Sequence, residues 1–168
     1  MAHSDQTLFR HRILFVCLGN ICRSPAAEGV FREMVRKAGL EKEILVDSAG
    51  TGSWHVGDAP DGRMIEHALA RGYDLRDLEA RQIDTPRDFQ EFDLILTMDH
   101  SNLRHVLALD SQKKHHHKVK PLVSFCKVHA VQEVPDPYYR EADGFEYVLD
   151  LLEDACTELL HHLRGLKP

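Results

Sequence analysis

A cysteine and an arginine separated by five residues stand out as groups that could do chemistry together. They occupy positions 17 and 23 in the stretch V-C-L-G-N-I-C-R-S-P, which spans residues 16–25. The apolar run before Cys17 predicts a buried strand, and the residues after Pro25 have the apolar spacing of a helix. The stretch is therefore expected to be a loop that places a thiol where a strand ends and a guanidinium group where a helix begins.

The loop has the residue types that an anion-binding site needs. Gly19 and Asn20 tolerate left-handed backbone, so the loop can curl and point several N–H groups inward at the N-terminus of the helix. The planar guanidinium group of Arg23 can hold two phosphate oxygens at once. The pattern thus predicts a phosphate cradle. Its residues are Leu18, Gly19, Asn20, Ile21, Cys22, Arg23 and Ser24.

The same positive field would activate the Cys17 thiol. A free thiol is mostly protonated near neutral pH, because its pKa is about 8.5, and only the thiolate attacks. The loop N–H groups, the helix N-terminus and Arg23 all favour the anion, which makes Cys17 the expected nucleophile. Ser24 is predicted to cap the helix that starts at Pro25, and its hydroxyl is also placed to bind the sulfur and help it leave.

A plainer interpretation makes Cys17 a buried core cysteine and Arg23 a surface charge, since isolated cysteines are usually buried. It leaves unexplained why Cys, Gly, Asn, Arg, Ser and Pro stand together between a strand and a helix. The nucleotide-binding pattern G-x-x-x-x-G-K-[ST] is absent, so a nucleotide site is not supported. We therefore favour the phosphate cradle.

A second candidate group lies in the string V-P-D-P-Y-Y, residues 134–139. Asp136 stands between two prolines, which stiffen the backbone and present the carboxyl group. Breaking a phosphate ester requires a proton for the leaving oxygen, and a carboxylic acid at the mouth of the cradle could supply it. Proline and aspartate are also common in plain turns, and on this string alone the turn is the favoured interpretation.

The elements that must position these groups alternate between strand and helix. Apolar runs predict strands at 12–17, 44–46, 94–96 and 119–125, the last at a sheet edge because it contains Pro121. Helices are predicted from Pro25 to about 38, through 64–69, from 85 onward, through 103–107 with Ser101 as the cap, and over 145–163. This alternation predicts an α/β fold with a four-stranded parallel sheet, in the Rossmann-like or flavodoxin-like order 2-1-3-4, and helices on both faces.

Three candidate groups fall at the same edge of this predicted sheet. In parallel sheets, ligands bind at the carboxyl ends of the strands. Cys17 follows the first strand, Asp99 follows the third, and the loop with Asp136 follows the fourth. Asp99 has two open interpretations: it orients side chains in the site, or it caps the helix beyond it.

Composition narrows the class of protein. The chain has 168 residues, which suits one domain at 12–168 after a loose polar arm at 1–11. Its net charge of −6 does not favour nucleic acid as a partner. No apolar run has the length of a membrane span and no signal-peptide pattern is visible, so we expect no membrane partner. The 4 scattered cysteines do not suggest a disulfide framework, and a reducing cytoplasm is the expected location.

Three strings resemble the low-molecular-weight protein tyrosine phosphatases: V-C-L-G-N-I-C-R-S-P after an N-terminal strand, D-S-A-G-T at 47–51, and D-P-Y-Y at 136–139. The resemblance covers nearly the whole chain after the arm. It implies hydrolysis of phosphotyrosine in proteins, or of small aryl phosphates, through a phosphocysteine and without a metal or other cofactor. In that reaction Cys17 attacks phosphorus, Arg23 binds the phosphate oxygens, and Asp136 acts first as general acid and then as base.

The resemblance also assigns supporting roles. Asn20 and Ser48 would hold the strained loop, and Ser24 would assist the departing thiolate. Cys22 would be the redox partner of Cys17, forming a reversible disulfide that protects the nucleophile from further oxidation. The family resemblance further implies inhibition by phosphate-like oxyanions, and we expect a monomer or a weak dimer.

The aromatic side chains of the family's pocket have counterparts in this chain. Trp54 and Tyr138, with Tyr139 beside them, would form walls around an aromatic ring, and Leu18 and Ile21 would lie beneath it. Tyr138 and Tyr139 resemble positions that family members use for regulation by phosphorylation. The arginine-phosphatase branch of the family has Thr at the position of Ile21, so Ile21 favours a phosphotyrosine pocket.

Two alternative functions use the same fold. An arsenate reductase would need further cysteines in a mobile segment, but none occurs between Trp54 and Met98. A non-catalytic phosphate-binding module would usually have lost the Cys, the Arg or the acid, and this chain has all three. The basic run K-K-H-H-H-K at 113–118, which contains His115, His116 and His117, is interpreted as a solvated loop rather than a metal site.

Overall fold

Four parallel strands form the centre of the structure, a computed structural model that describes residues 8–166. The strands are β1 (His11–Cys17), β2 (Ile44–Gly50), β3 (Leu94–Thr97) and β4 (Val119–Pro121). Their order in the sheet is β2-β1-β3-β4. The predicted α/β fold and the predicted strand order 2-1-3-4 are therefore confirmed.

Helices cover both faces of this sheet, as predicted. They are α1 (Arg23–Lys37), α2 (Gly62–Ala70), α3 (Arg87–Glu91), α4 (His100–Leu109) and α5 (Ala142–Gly165). The buried side chains sort by face because successive residues of a strand point to opposite sides. Phe15 and Leu96 belong to the cluster that contains the apolar faces of α1 and α5. Val16 and Ile95 belong to a second cluster, which also contains Phe89 of α3.

The central position of β1 determines where the candidate nucleophile lies. β1 pairs with β2 along its full length and with β3 over residues 13–16. The four side chains at 13–16 have no solvent exposure, so the strand is fixed on both edges and both faces. Its last residue, Cys17, pairs with Gly50 at the end of β2. Cys17 therefore stands in the middle of the carboxyl edge of the sheet.

The fourth strand is shorter than predicted. It ends at Pro121 rather than at residue 125, and a short 3₁₀ helix follows over Leu122–Phe125. Proline has no N–H with which to continue the ladder, and the Ser124 hydroxyl donates a hydrogen bond to the Pro121 carbonyl at 2.7 Å. The edge position that Pro121 predicted is confirmed, because β4 is the last strand in the order.

The histidine-rich run is less solvated than predicted. The ring of His115 stacks on Phe89 with centroids 5.4 Å apart, and Lys118 donates a hydrogen bond to the Phe89 carbonyl at 2.6 Å. His116 lies 3.1 Å from the carbonyl oxygen of Leu107. The run thus packs against α3 and α4. Within residues 8–166, no group of three or more His, Cys, Asp or Glu side chains is arranged to hold a metal ion.

The arm before β1 is described only in part, because its first seven residues lie outside the described range. The amides of Arg10 and His11 both donate to the Glu43 carbonyl, at 2.8 and 3.0 Å. The ladder therefore begins at His11, one residue before the predicted start. Among the helices of the described part, none has both the length and the apolarity needed to cross a bilayer.

Candidate active site

Three peptide carbonyls of the loop after β1 are bonded to neighbouring segments of the chain. Because a trans peptide is planar, the N–H of each of these peptide groups points away from its carbonyl. The amides of Leu18, Gly19 and Cys22 therefore face the inside of the loop, as the phosphate cradle requires. The bonds, of 2.7 to 2.9 Å, join the carbonyls of Cys17, Leu18 and Ile21 to the amides of Thr51, Gly52 and Asp61, respectively.

Asn20 fixes the curvature of the loop. Its backbone is left-handed, with φ of 56°, and its side chain is 2% exposed. The side-chain amide donates to Ser24 Oγ at 2.7 Å and to Ser48 Oγ at 2.9 Å, while Oδ1 accepts from the Arg81 amide at 2.9 Å. These bonds link the loop to β2 and to the segment between α2 and α3, and so offset the cost of the left-handed backbone.

The Cys17 sulfur lies at the bottom of the loop. It accepts a hydrogen bond from the Asn20 amide at 3.3 Å and lies 2.9 Å from Ser24 Oγ. The position of Ser24 corrects one prediction. The helix α1 begins at Arg23, two residues before the predicted start, and has no side-chain cap. The Ser24 hydroxyl contacts the sulfur and the Asn20 amide instead.

We define residues 134–139 as the acid loop. Arg23 connects the nucleophile loop to this acid loop and to the end of β3. Its Nη1 donates to Asp99 Oδ2 at 2.7 Å and to the Val134 carbonyl at 3.0 Å, and its Nη2 lies 3.5 Å from Asp136 Oδ2. Burial opposes the charged form, but the Cys17 sulfur, Asp99 and Asp136 outweigh it and raise the pKa of Arg23. The guanidinium group is therefore a buried, permanently charged centre beside the thiol.

Asp99 makes the contacts that each of the two open interpretations requires. Its Oδ2 accepts from Arg23, and its Oδ1 accepts from the Asn102 amide at 2.8 Å. The Asn102 side chain returns a bond to the Asp99 amide at 3.1 Å, which completes a capping box for α4. The predicted cap, Ser101, is therefore wrong: α4 starts two residues earlier than that assignment requires.

Asp136 reaches the same pocket from the acid loop. Its side chain is 43% exposed, and its Oδ1 accepts from the Tyr138 amide at 3.1 Å. The start of the loop is fixed because the Val134 amide donates to the Met98 carbonyl at 2.7 Å, at the end of β3. The carboxyl group thus stands at the mouth of the pocket, where a leaving-group oxygen would be exposed to it.

One pocket contains the predicted nucleophile, the arginine, the acid and the aromatic residues. Tyr139 is 94% exposed and packs edge-on against Tyr138, so it belongs to the rim more than to a wall. Trp54 is 73% exposed and its ring lies against Gly52. The residues that line the pocket are Cys17, Leu18, Gly19, Ile21, Cys22, Arg23, Trp54, His55, Asp136, Tyr138 and Tyr139.

The surroundings of Cys22 disfavour a thiolate. Burial, with help from nearby Asp61, raises the pKa of the Cys22 thiol well above its usual range. Cys22 is therefore held as a thiol. All four cysteines are free in this structure.

The sequence interpretation missed residues that surround the pocket. His55 lies over the loop, with Cδ2 3.1 Å from the point where a Cβ on Gly19 would lie. Gly19 is thus needed for close packing, since Asn20 and not Gly19 has the positive φ. Arg63 donates to the Tyr138 carbonyl at 3.0 Å, and Glu28 accepts from Ser48 at 2.7 Å. Only the two-residue spacing between Asp61, which caps α2, and Arg63, in the first turn of α2, was available as a signal for any of these contacts.

Comparisons with known proteins agree with one another. A family model described as low molecular weight phosphotyrosine protein phosphatase matches residues 12–167. A Synechocystis chain named among the low molecular weight protein-tyrosine-phosphatases is 54% identical over 152 residues, which are 90% of this chain and 96% of that one. The phosphatase YfkJ of Bacillus subtilis is 40% identical over 92% of this chain and 97% of its own. A crystal structure of a protein tyrosine phosphatase from Entamoeba histolytica superposes with a TM-score of 0.88, at 42% identity, over 92% of this chain and 97% of that chain.

Proposed function

The chain belongs to the low molecular weight phosphotyrosine protein phosphatase family, and from that membership we propose that it hydrolyses the phosphate ester of phosphotyrosine in proteins or peptides. One observation carries the proposal: Cys17, Arg23 and Asp136 line a single pocket, with the arginine in contact with the acid and the sulfur inside the loop. A nucleophile, an oxyanion binder and a proton donor in one pocket are the groups that this reaction requires.

In the first step, the Cys17 thiolate attacks phosphorus and the bond from phosphorus to the tyrosyl oxygen breaks. Arg23 and the inward amides of the loop hold the three equatorial oxygens as negative charge spreads over them. Asp136 donates its proton to the tyrosyl oxygen, so tyrosine leaves as a neutral phenol.

In the second step, water hydrolyses the phosphocysteine. Asp136, now a carboxylate, accepts the proton of the attacking water, and the bond between sulfur and phosphorus breaks. The sulfur leaves as a thiolate, which the Ser24 hydroxyl at 2.9 Å and the Asn20 amide at 3.3 Å are placed to stabilise. Inorganic phosphate is released and the enzyme returns to its starting state.

The aromatic residues at the rim of the pocket are the reason for proposing an aromatic substrate side chain. Trp54, Tyr138, Leu18 and Ile21 all line the pocket, and the two aromatic side chains could offer their faces to a phenyl ring. A pocket that binds a phosphate dianion would also bind other tetrahedral oxyanions, so inhibition by inorganic phosphate is expected. We also propose that the protein works as a monomer or weak dimer in a reducing cytoplasm, where Cys17 stays reduced.

Redox control by Cys22 belongs to the same proposal. Both thiols line the pocket and both are free. Hydrogen peroxide would take two electrons and two protons from the pair, giving the Cys17–Cys22 disulfide and two waters. The disulfide would block attack on phosphorus until a dithiol reduces it. Phosphorylation of the exposed Tyr138 and Tyr139 would add negative charge at the rim and so weaken substrate binding.

The first experiment is turnover of p-nitrophenyl phosphate in the presence of EDTA. Cys17→Ser should lose about a thousandfold or more in kcat, whereas Cys126→Ser, at a half-buried cysteine outside the pocket, should retain wild-type kcat. Asp136→Ala should lose about a hundredfold on a phosphotyrosine peptide and less on p-nitrophenyl phosphate, whose leaving group needs little protonation. Asp143→Ala, at an exposed carboxylate near the acid loop, is the matched control.

The alternatives have distinct outcomes in the same assays. Full activity of Cys17→Ser, or a requirement for added metal, would contradict the cysteine mechanism. Thiol-dependent reduction of arsenate as fast as the phosphatase turnover would indicate an arsenate reductase. Tight phosphopeptide binding without turnover would indicate a binding module. Preference for phosphoarginine over phosphotyrosine would show that Ile21 does not set the substrate class.

A further inference from the structure

Glu28 is a buried carboxyl group that the mechanism above does not use. It lies on α1 with 7% exposure, among buried neighbours, and faces β2. The Ser48 hydroxyl donates to Glu28 Oε1 at 2.7 Å. A carboxyl group in such a place usually has a partner that compensates its desolvation. Here Ser48 is that partner.

A chain of side-chain hydrogen bonds connects Glu28 to the nucleophile. Ser48 Oγ accepts from the Asn20 side-chain amide at 2.9 Å, and the same amide donates its other hydrogen to Ser24 Oγ at 2.7 Å. Ser24 Oγ lies 2.9 Å from Cys17 Sγ. The side-chain nitrogen of Asn20 can only donate, so the hydroxyls of Ser24 and Ser48 both accept from it. Each hydroxyl therefore keeps its own hydrogen for the next group. The Ser48 hydroxyl donates to Glu28, and the Ser24 hydroxyl can donate either to the sulfur at 2.9 Å or to the Ala49 carbonyl at 3.4 Å, of which the sulfur is the nearer.

We propose that Glu28 is a positioning residue for the dephosphorylation reaction. Its carboxyl oxygen is the last acceptor of a hydrogen-bond relay that connects it through Ser48, Asn20 and Ser24 to the sulfur. Its negative charge, when present, weakens anion binding by the phosphate cradle. The inference rests on the proposed function for its catalytic consequences. Its effect on anion binding can be measured without turnover.

The charged groups around Glu28 do not neutralise it. Asp47, from β2, and Asp77, from the segment after α2, both disfavour its anion, and Arg32, on its own helix, favours it. Arg32 is engaged by Asp77 at 3.0 Å, and Asp47 is engaged by Arg81 at 3.0 Å. Burial is the largest influence and raises the pKa of Glu28 to about 7. The group therefore changes charge in the neutral range of pH.

Both protonation states preserve the relay, because Oε1 accepts the Ser48 hydrogen in either. They differ in charge. The neutral carboxyl leaves the positive field of the loop amides, the α1 N-terminus and Arg23 unopposed. The carboxylate adds a buried negative charge behind the cradle, which repels a bound dianion. Anion binding should therefore be strongest below neutral pH and weaken as Glu28 ionises.

Sulfate is the probe for this effect, because it remains a dianion from pH 5.5 to 8.5. Its Kd is measured by titration calorimetry for the wild type and for Glu28→Gln, which retains an acceptor oxygen but has no charge. Between pH 6 and pH 8, the wild-type Kd should rise by about fivefold more than that of Glu28→Gln. Glu33→Gln is the matched control on the same helix, since Glu33 pairs with Arg36 at the surface and should titrate sulfate like the wild type.

The positioning part is tested by removing the acceptor. Glu28→Ala should lower kcat for p-nitrophenyl phosphate by about tenfold at every pH, and Glu28→Gln should restore it at pH 6. Equal pH dependence of the sulfate Kd in wild type and Glu28→Gln would overturn the charge effect, even if Glu28→Ala does not fold. Wild-type kcat in folded Glu28→Ala would overturn the positioning role. Sulfate binding that behaves as expected in a protein without phosphatase activity would overturn the proposed function and keep the charge effect.

Discussion

At the scale of single residues, Arg23 is held in place before any phosphate arrives. Asp99 and the Val134 carbonyl engage one terminal nitrogen, and Asp136 faces the other. These contacts come from the ends of β3 and the acid loop, so the guanidinium group cannot relax away from the thiol. An arginine fixed in this way loses little conformational freedom when substrate binds, and its field acts on the transition state at once.

Asp99 offers a way to separate orientation of Arg23 from capping of α4. Asp99→Asn keeps an oxygen for the Asn102 amide and loses the charge that faces Arg23, whereas Asp99→Ala loses both. We expect kcat/KM to fall by about tenfold in each variant. Only Asp99→Ala should also lose about 1 kcal/mol of unfolding free energy, measured by urea denaturation, because it alone removes the cap. Equal stability of the two variants would show that the Asp99 side-chain cap contributes nothing to stability.

Glu28 should make the unfolding free energy depend on pH, in addition to its effect on anion binding. Its pKa is raised from 4.5 to about 7 by burial, so between these values the folded protein holds a proton that the unfolded chain releases. Stability must then fall as pH rises from about 4.5 to 7, by up to about 3 kcal/mol, and level off above that. Glu28→Gln cannot ionise, so its unfolding free energy relative to wild type should increase from pH 5 to pH 8. Parallel curves in urea denaturation would contradict this.

At the scale of elements, the end of β2 supports the nucleophile loop through direct backbone contact. A Cβ on Gly50 would lie 2.8 Å from the Leu18 carbonyl oxygen and 3.2 Å from the Asn20 amide. Both are backbone atoms, so either the loop or the end of β2 must shift. The parallel pairing of Cys17 with Gly50 brings the two backbones this close.

Gly50→Ala should therefore displace the loop. We expect kcat/KM to fall by at least about tenfold and unfolding free energy to fall by about 1–3 kcal/mol. Gly62→Ala is the control, because Gly62 opens α2 and a Cβ there would meet nothing within 4 Å. That variant should keep full activity and gain slightly in stability. Unchanged kinetics for Gly50→Ala would mean that the loop does not depend on this contact.

Arg63 connects α2 to the acid loop. It donates to the Tyr138 carbonyl at 3.0 Å and lies over the rings of Tyr138 and Phe145, at 5.4 and 4.8 Å from their centroids. It is also fixed by the Asp61 carboxylate at 2.9 Å. Through these contacts one side chain orients a pocket wall and the start of α5 together.

Removal of Arg63 should affect substrate binding more than chemistry. Arg63→Ala should raise KM for a phosphotyrosine peptide by about fivefold, with a smaller effect on kcat for p-nitrophenyl phosphate. Arg76→Ala is a close control, since Arg76 binds Asp74 with the same two-residue geometry at a site remote from the acid loop. A matching rise in KM for Arg76→Ala would assign the effect to general loss of charge.

At the scale of the whole molecule, the catalytic edge and the packing of α1 against α5 share one core cluster, which also contains Cys17 and Cys22. Leu149 of α5 is fully buried in the cluster shared by α1 and α5, and it does not line the pocket. Leu149→Ala should cost about 2–5 kcal/mol of unfolding free energy and leave kcat unchanged at temperatures where the variant is folded. Thermal unfolding and kinetics at 25 °C check the two parts. A parallel loss of kcat would show that core packing reaches the loop.

Most of the fold could be predicted from the sequence, because buried strands and amphipathic helices each have a characteristic spacing of apolar residues. It was less informative where several segments meet. The 3₁₀ helix after Pro121 and the capping of α4 by Asp99 depend on competing local hydrogen bonds, which apolar spacing does not report. Glu28 looked like an ordinary helix residue, since only the fold brings Ser48 within 2.7 Å of it.

The outward-facing carbonyls of the loop have a spectroscopic consequence. Three backbone amides from other parts of the chain donate hydrogen bonds to carbonyls of this loop. They are the amides of Thr51, Gly52 and Asp61. In a ¹⁵N correlation spectrum their resonances should shift and their deuterium exchange should quicken whenever the loop rearranges, whether oxidation, phosphate or a variant causes it. Three backbone signals thus report on the nucleophile from a distance, with no label in the pocket and no turnover required.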